Sequence, residues 1–332
     1  IFGDYDVDGV SSITILSGYF RHIGHPFKYL IPDRFIDGYG PNIKLLEQNL
    51  DKEIDNIIFL DCGSNSHDVI NYLNTKKIRS IIIDHHIINN FHMPKSDVHI
   101  NPTKNNQKFI DNNVCAATLT FFFVDLVNKK LNSKFKLDDY FIFSLISTIC
   151  DLMPLKGFNR KILTVGFKNL VIKNKGLKKL IGNNLKKKLT YKDIGFKIGP
   201  LINSSGRIAK ANDVVELFLS QNDDKINTII GKMNSHNELR KKIEQENLNL
   251  INFRKYIGDS VIFIYNKEFH EGTIGIIAAK LSKIFNKPCF VMTESHNSLK
   301  CSIRSANNVK INKTINKLIS NNLVISGGGH DE

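Results

Sequence analysis

The 332-residue chain predicts an α/β fold: a parallel-sheet domain joined by a long connector helix to a second, smaller α/β domain, with a cleft between them. Three observations carry this. Short apolar or β-branched runs alternate with helix-like segments in the N-terminal part, the mark of βαβ units and a parallel sheet. A long stretch with no Gly or Pro between Lys232 and Ile257 then spaces its apolar residues as a helix does. After Gly258 the alternation of strand and helix patterns starts again.

In chain order, Ile1–Gly3, Asn56–Leu60 and Ser80–Ile83 read as strands, with Ser11–Gly24 and Ser66–Asn74 as helices between them. Each strand stops at an acidic motif: Asp4-Tyr5-Asp6-Val7-Asp8-Gly9, Asp61-Cys62-Gly63 and Asp84-His85-His86. Ligands of open parallel sheets gather at the carboxyl ends of the strands, so Asp4, Asp61 and Asp84 are expected along one edge. Asp151 follows an apolar helix, Tyr140–Ile149, which Pro154 terminates, and would close the site from one side. Lys225–Tyr256 reads as the connector helix through Ile226, Ile229, Ile230, Met233, Leu239, Ile243, Leu250 and Ile251. Beyond it come strand Ser260–Tyr265, a loop, helix Thr273–Phe285, strands Cys289–Thr293 and Leu299–Arg304, and helix Lys310–Ser320. No internal repeat is visible.

Carboxylates gathered in this way repel one another unless cations lie between them. Oxygen ligands with one or two imidazoles suit Mn²⁺ or Mg²⁺ better than Zn²⁺ or copper, and two such ions serve phosphodiester hydrolysis. Asp6 and Asp8 follow a strand on an irregular segment, with Gly9 allowing a tight turn into the next helix. Asp61 is the natural bridging carboxylate, Gly63 permits close backbone approach, His85 supplies an imidazole, and Asp151 completes the second site. His86 is expected to face substrate, bonding the scissile phosphate or protonating the leaving oxygen. A calcium loop is excluded, because the twelfth position from Asp4 is Ile15 rather than Glu.

Charge is divided along the chain. Through Leu155 there are 15 Lys+Arg against 18 Asp+Glu; from Lys156 onward there are 31 against 14, within a total of +14. Lys156–Lys192 holds 12 basic residues and no acidic one, including Lys186, Lys187 and Lys188, a surface suited to a polyanion backbone. An abundance of lysine throughout the chain is the plainer account of the same run. No stretch of 18 apolar residues exists, so no transmembrane helix and no membrane partner is expected. The chain opens inside a motif and closes just after Gly327-Gly328-Gly329-His330, which reads as a fragment. Five cysteines without a CxxC pair point to a reducing, cytoplasmic setting, with Cys62 and Cys150 read as small buried residues.

The order DYDVDG, DCG, DHH, CDLMPL resembles the DHH phosphoesterase superfamily, specifically its RecJ-type single-strand-specific DNA exonucleases. Pro32-Asp33-Arg34-Phe35 with Asp37-Gly38-Tyr39-Gly40, Ile202-Asn203-Ser204-Ser205-Gly206-Arg207 and His270-Glu271-Gly272-Thr273-Ile274-Gly275-Ile276 are similar to that type as well. So are Ser302-Ile303-Arg304-Ser305 and the glycine run, which look like the DHH-associated second domain, DHHA1. The resemblance implies residues 1–195 as the DHH catalytic domain, 196–257 as connector and 258–332 as a truncated DHHA1-type substrate-binding domain. It implies a processive 5′-to-3′ exonuclease on single-stranded DNA, releasing mononucleotides with two Mn²⁺ or Mg²⁺ ions in repair and recombination. The polarity rests on the resemblance alone.

Carried over by position, Asp6 and Asp61 would hold one metal, and Asp8, Asp61, His85 and Asp151 the other. Asp4 stands where many relatives outside this type have histidine, and is read as a ligand or as an orienter of the catalytic base. Arg207, Arg304, Gly328, Gly329 and His330 are expected to grip phosphates. Phe35, Tyr39 and Phe269 are the aromatic candidates for stacking bases, with core packing the first reading for each. A monomer is expected, partnered by single-stranded DNA and by a single-strand-binding protein or helicase. The alternatives are another DHH-type hydrolase, acting on nanoRNA, nucleoside bisphosphate, cyclic dinucleotide or pyrophosphate, or a non-catalytic DNA-binding relative. The histidine-led first motif and shorter connector of the small-substrate enzymes are lacking here, and every metal carboxylate is present, unlike in the non-catalytic relatives.

Overall fold

The computed structural model describes residues 1–51, 53–88, 93–104, 111–184, 189–295, 298–306, 309–325 and 327. The chain divides into two compact units, Ile1–His236 and Asn237–Glu332.

In the first unit, β1 (Phe2–Gly3), β2 (Asn56–Leu60), β3 (Arg79–Ile83) and β4 (Val98–Ile100) form one parallel sheet in the order β1-β2-β3-β4. The register aligns their ends: Gly3 pairs with Leu60, Leu60 with Ile83 and Ile83 with Ile100. The next residue on each strand therefore belongs to one row, Asp4, Asp61, Asp84 and Asn101. The ladder extends into it, since Asp4, Asp61 and Asp84 donate their N–H groups to Leu60, Ile83 and Ile100 at 3.3, 2.9 and 3.0 Å. The expected strands are present within a residue at each end, but β4 was not read from the sequence. With three residues, one exposed and two half-buried, it gives too short a signal.

Helices cover the sheet. α1 (Val7–His22), α2 (Ile43–Asn49) and α3 (His67–Thr75) fall between strands, and α4 (Ala116–Leu131) and α5 (Phe141–Cys150) follow β4. Then come α6 (Gly157–Lys168), α7 (Lys175–Asn184), a short α8 (Tyr191–Asp193), α9 (Gly199–Ile208) and α10 (Asn212–Leu219). Burial of α1 is continuous from Val7 to Tyr19, because it packs on α4, α5 and α10 as well as on the sheet. Asp6 caps it, Oδ1 accepting from the N–H groups of Asp8 at 2.8 Å and Gly9 at 3.1 Å. Leu201, Val214, Ile226 and Met233 join this same core.

Gly9 serves a purpose other than the expected turn. Its φ is not left-handed; a Cβ there would instead lie 2.3 Å from the carbonyl oxygen of Asp4. Gly9→Ala is expected to destabilise the first unit by about 3 kcal/mol or more, because backbone rather than a side chain must move. A urea midpoint equal to that of the parent would show that the segment yields.

α11 (Asp223–Asn249) is the long helix, ending seven residues before the expected Tyr256 although no Gly or Pro intervenes. The chain leaves the helix so that Ile251 can enter the second core. There β5 (Ile262–Tyr265) lies parallel to β6 (Cys289–Ser295), which pairs antiparallel with β7 (Ser298–Arg304). α12 (Ile274–Phe285) packs on β6 and β7, and α13 (Ile311–Ser320) follows. Glu244 is buried on α11 between Arg240 and Lys280, so its charge is compensated from two sides.

Candidate metal centre

The first row residue, Asp4, is buried, and two residues on the chain enters α1, with Asp6 as its N-cap and Asp8 in its first turn rather than on an irregular segment. Asp61 is forced into a left-handed backbone conformation (φ +61°), and Gly63 two residues on is left-handed too (φ +101°). Asp tolerates this conformation better than most residues, yet at a cost that the local packing must hold. Asp61 is buried at this point of the edge. Asp151 caps α5, its N–H donating to Ser147 O at 2.9 Å, and its side chain is 23% exposed.

These side chains converge. His85 Nε2 lies 3.2 Å from Asp61 Oδ1, 3.4 Å from Asp151 Oδ2 and 3.7 Å from Asp8 Oδ2. Three sets of donor atoms lie within 4.8 Å of one another: Asp8, His85 and Asp151; Asp4, Asp6 and Asp61; and Asp61, His85 and His86. Asp61 belongs to two of the three. Asp61 Oδ1 and Asp151 Oδ2 are buried and accept no hydrogen bond. Carboxylate oxygens removed from water in this way are costly unless something cationic meets them, and oxygen donors with an imidazole fit a hard divalent ion.

Electrostatics agree with the geometry. Burial first, and then the Asp6 charge, pushes Asp4 up to about 8 despite the N–H of Tyr5 and the charges of His86 and Arg34. Asp8 is pushed up to about 6 by burial and Asp6, and is held from rising further by two backbone N–H groups. Burial and the neighbouring carboxylates raise Asp61 and Asp151 well above the usual range. Asp84 goes the other way. Burial opposes its ionisation, but His86, His85 and Ser64 outweigh that and hold it well below the usual range.

Several supports were not legible in the sequence. Asp8 is clamped by the start of α4, where Ala116 N–H donates to Oδ2 at 2.6 Å and Ala117 N–H to Oδ1 at 2.8 Å. A helix N-terminus favours the ionised carboxylate there. Only Asp84 could have been guessed, from its place in the motif: its Oδ1 accepts from His85 N–H, His86 N–H and His86 Nδ1, and its Oδ2 from Ser64 N–H. It orients the histidines rather than joining a donor set. His86 is thereby fixed with Nδ1 on Asp84 and Nε2 3.2 Å from the Tyr39 hydroxyl. Burial works to lower its pKa, but Asp84, with Asp4 and Asp151, brings it up to about 9.

Tyr39 is 60% exposed, which overturns the core reading for it, whereas Phe269 is buried in the second core and cannot stack a base. Phe35 is half-buried. Arg34, named above only within a motif, lies over the Tyr5 ring, its Cζ 4.2 Å from the centroid. Arg207 sits in the last turn of α9, half-buried. The preceding residues of that helix buttress the first motif: Asn203 Oδ1 accepts from Val7 N–H at 3.0 Å, and a Cβ at Gly206 would lie 2.7 Å from Tyr5 O. Arg304 ends β7 in the second unit, its Nη1 donating to its own strand at Ile303 O, 2.8 Å away. Gly328, Gly329 and His330 lie outside the described residues, as do Lys186, Lys187 and Lys188. Cys62 is buried in the core and Cys150 lies partly buried against Ile194 O. Among the described residues no helix is long and apolar enough to cross a membrane.

A parallel sheet whose carboxyl edge gathers aspartates and imidazoles into overlapping donor sets defines the class: an α/β protein with a carboxylate-histidine centre. The DHH family N-terminal domain model matches residues 1–147 and the DHHA1 domain model matches residues 258–332, so the chain carries a DHH family N-terminal domain followed by a DHHA1 domain. It is similar to the single-stranded-DNA-specific exonuclease RecJ of Haemophilus influenzae, 26% identical over 356 residues, covering 99% of this chain and 61% of that one. The Thermus thermophilus RecJ is 24% identical over 335 residues, covering 100% of this chain and 48% of that one. The chain thus spans about three fifths of the length of the first curated relatives it matches. Among solved structures, exonuclease RecJ bound to manganese superposes with a TM-score of 0.81 at 23% identity, covering all of this chain and 83% of that one. The Thermus thermophilus RecJ structure in complex with Mn²⁺ gives 0.82 at 23% identity, over 48% of that chain. These superpositions bear out the α/β architecture with its second, smaller sheet domain.

Proposed function

We propose that the protein is a single-stranded-DNA-specific 5′-to-3′ exonuclease, hydrolysing phosphodiester bonds with two divalent ions, Mn²⁺ or Mg²⁺, in DNA repair and recombination. The observation that carries the metal-dependent chemistry is the convergence of Asp8, Asp61, His85 and Asp151, with buried carboxylate oxygens that accept no hydrogen bond. Similarity to single-stranded-DNA-specific RecJ exonucleases along nearly the whole chain supports the choice of substrate, and the polarity rests on the resemblance of its motifs to that type. In this reading Asp6 and Asp61 hold one ion and Asp8, Asp61, His85 and Asp151 the other, with Asp4 beside the first. When bound, such a pair acidifies an attacking water and stabilises charge on the phosphoryl oxygens.

The chain's own groups do the rest. Asp84 holds Nδ1 of His86, and Nε2, which shares a contact with the Tyr39 hydroxyl at 3.2 Å, is the nitrogen that would meet a phosphate or leaving oxygen. The α4 N-terminus limits the rise that burial imposes on Asp8 and aims its carboxylate. Arg207, Arg304, Gly328, Gly329 and His330 bind phosphates, and the enzyme acts as a cytoplasmic monomer. The deciding experiment follows Mn²⁺-dependent release of nucleotides from a 5′-labelled single strand, beside duplex DNA, RNA dinucleotides and pyrophosphate. Faster turnover of a dinucleotide or of pyrophosphate than of the single strand would move the protein to the small-substrate branch.

Arg304→Ala is expected to weaken single-strand binding and to lower the slope of log K against log salt by about 0.7, the share of one phosphate contact. Filter binding across a salt series reads this directly. An unchanged slope would remove Arg304 from the phosphate-binding set.

A further inference from the structure

The register of the first sheet extends the row of acidic residues by one strand. Asp4, Asp61 and Asp84 are followed in the row by Asn101, an amide, buried to 1% exposure at the end of β4. Both of its polar atoms are fully used. Nδ2 donates to Ser64 Oγ at 2.9 Å and to the His86 carbonyl oxygen at 2.9 Å. Oδ1 accepts from Thr103 N–H at 2.8 Å and faces Thr103 Oγ1 at 2.8 Å. The Thr103 hydroxyl also lies 3.2 Å from the His86 carbonyl, so its single proton is divided between that oxygen and Asn101 Oδ1.

What this amide joins matters more than its burial. Ser64 stands three residues past Asp61 across the left-handed Gly63, and His86 adjoins His85. Asn101 therefore ties the loop that carries Asp61 to the loop that carries His85. Asp84 makes the other tie, through Ser64 N–H at 3.0 Å. The chain of bonds also has a direction: Ser64 Oγ accepts from Asn101, which leaves its own proton for His99 Nε2 at 3.0 Å. An amide in this place is thus specified by its neighbours, since a carboxylate would face the His86 carbonyl with an acceptor against an acceptor.

We propose that Asn101 is a positioning residue of the metal centre, holding the Asp61 carboxylate and the His85 imidazole at the separation that a bound divalent ion requires. This rests on the two-metal reading above. Groups directly behind metal ligands set their orientation, and losing one costs roughly 10- to 100-fold in metal affinity.

The test is a calorimetric Mn²⁺ titration of the intact protein as wild type, Asn101→Ala and Thr103→Val, each held below its own melting temperature. Asn101→Ala is expected to weaken Mn²⁺ binding roughly 10- to 100-fold. Thr103→Val, an isostere lacking only the hydroxyl, should weaken it roughly threefold, the share of one net hydrogen bond. A purely structural amide would lower the melting temperature and leave Mn²⁺ affinity unchanged, and that result overturns the proposal. If Asn101→Ala does not fold, Thr103→Val decides: wild-type affinity in that variant is equally fatal. A wild-type protein that binds no Mn²⁺ would instead remove the metal reading, and this inference with it.

Discussion

Asp61→Asn is expected to lower kcat/KM for a single-stranded oligonucleotide by roughly 10³-fold, several kcal/mol of transition-state stabilisation, while binding of the strand is largely retained. Asp61 is the residue shared between two donor sets, and one of its oxygens is buried without a hydrogen bond. Asparagine is the informative replacement. Its backbone accepts the left-handed φ of +61° that alanine would strain, so the change isolates the lost charge from a refolded loop. Near-wild-type turnover would contradict Asp61 as the bridging ligand. The same variant should also be more stable than its parent under chelation, because one of several mutually repelling buried carboxylates has gone.

Removal of divalent ions is expected to destabilise the protein increasingly as pH rises. Asp4 titrates at about 8 and Asp8 at about 6 when folded, with Asp61 and Asp151 also raised. Unfolded, all four return to about 4, so the folded chain binds more protons between pH 4 and 8 and loses stability across that window. His86 adds to the loss between its unfolded value, about 6.5, and its folded value, about 9. Asp84, whose pKa is depressed, stabilises above the unfolded carboxylate range and loses that contribution only in acid. Bound cations would replace the missing protons. Mn²⁺ at a fixed concentration, about 100 times its dissociation constant at pH 7, should therefore contribute about 2.7 kcal/mol there, roughly 5–10 °C in melting temperature, with the gap over chelated protein widening from pH 5 to 8. A melting temperature under chelator that is flat or rises through this range would show that the carboxylates are not packed together.

Arg34 marks a limit of reading by residue type. In sequence it is one basic residue in a motif, and only the fold puts its guanidinium on Tyr5, beside the first acidic cluster. Asn101 marks a second limit. An asparagine before a proline reads as a turn, and its place in the acidic row exists only because β4 pairs in register with β3. The Ala116 and Ala117 N–H groups on Asp8 leave no side-chain signature at all.

The sequence by itself determined the parallel sheet, the second small domain, the family resemblance, and which carboxylates and histidine meet at the sheet edge. Short apolar runs and ionisable residues at their ends are local features that survive without coordinates. Only the tertiary structure decided which backbone groups clamp Asp8, that Gly9 makes room for Asp4 rather than a turn, and that Asn101 continues the row of Asp84. Those depend on contacts between segments far apart in the chain. Hydrogen bonds from backbone amides and the space a missing Cβ leaves have no side-chain chemistry to read, and become definite only once the sheet register is fixed.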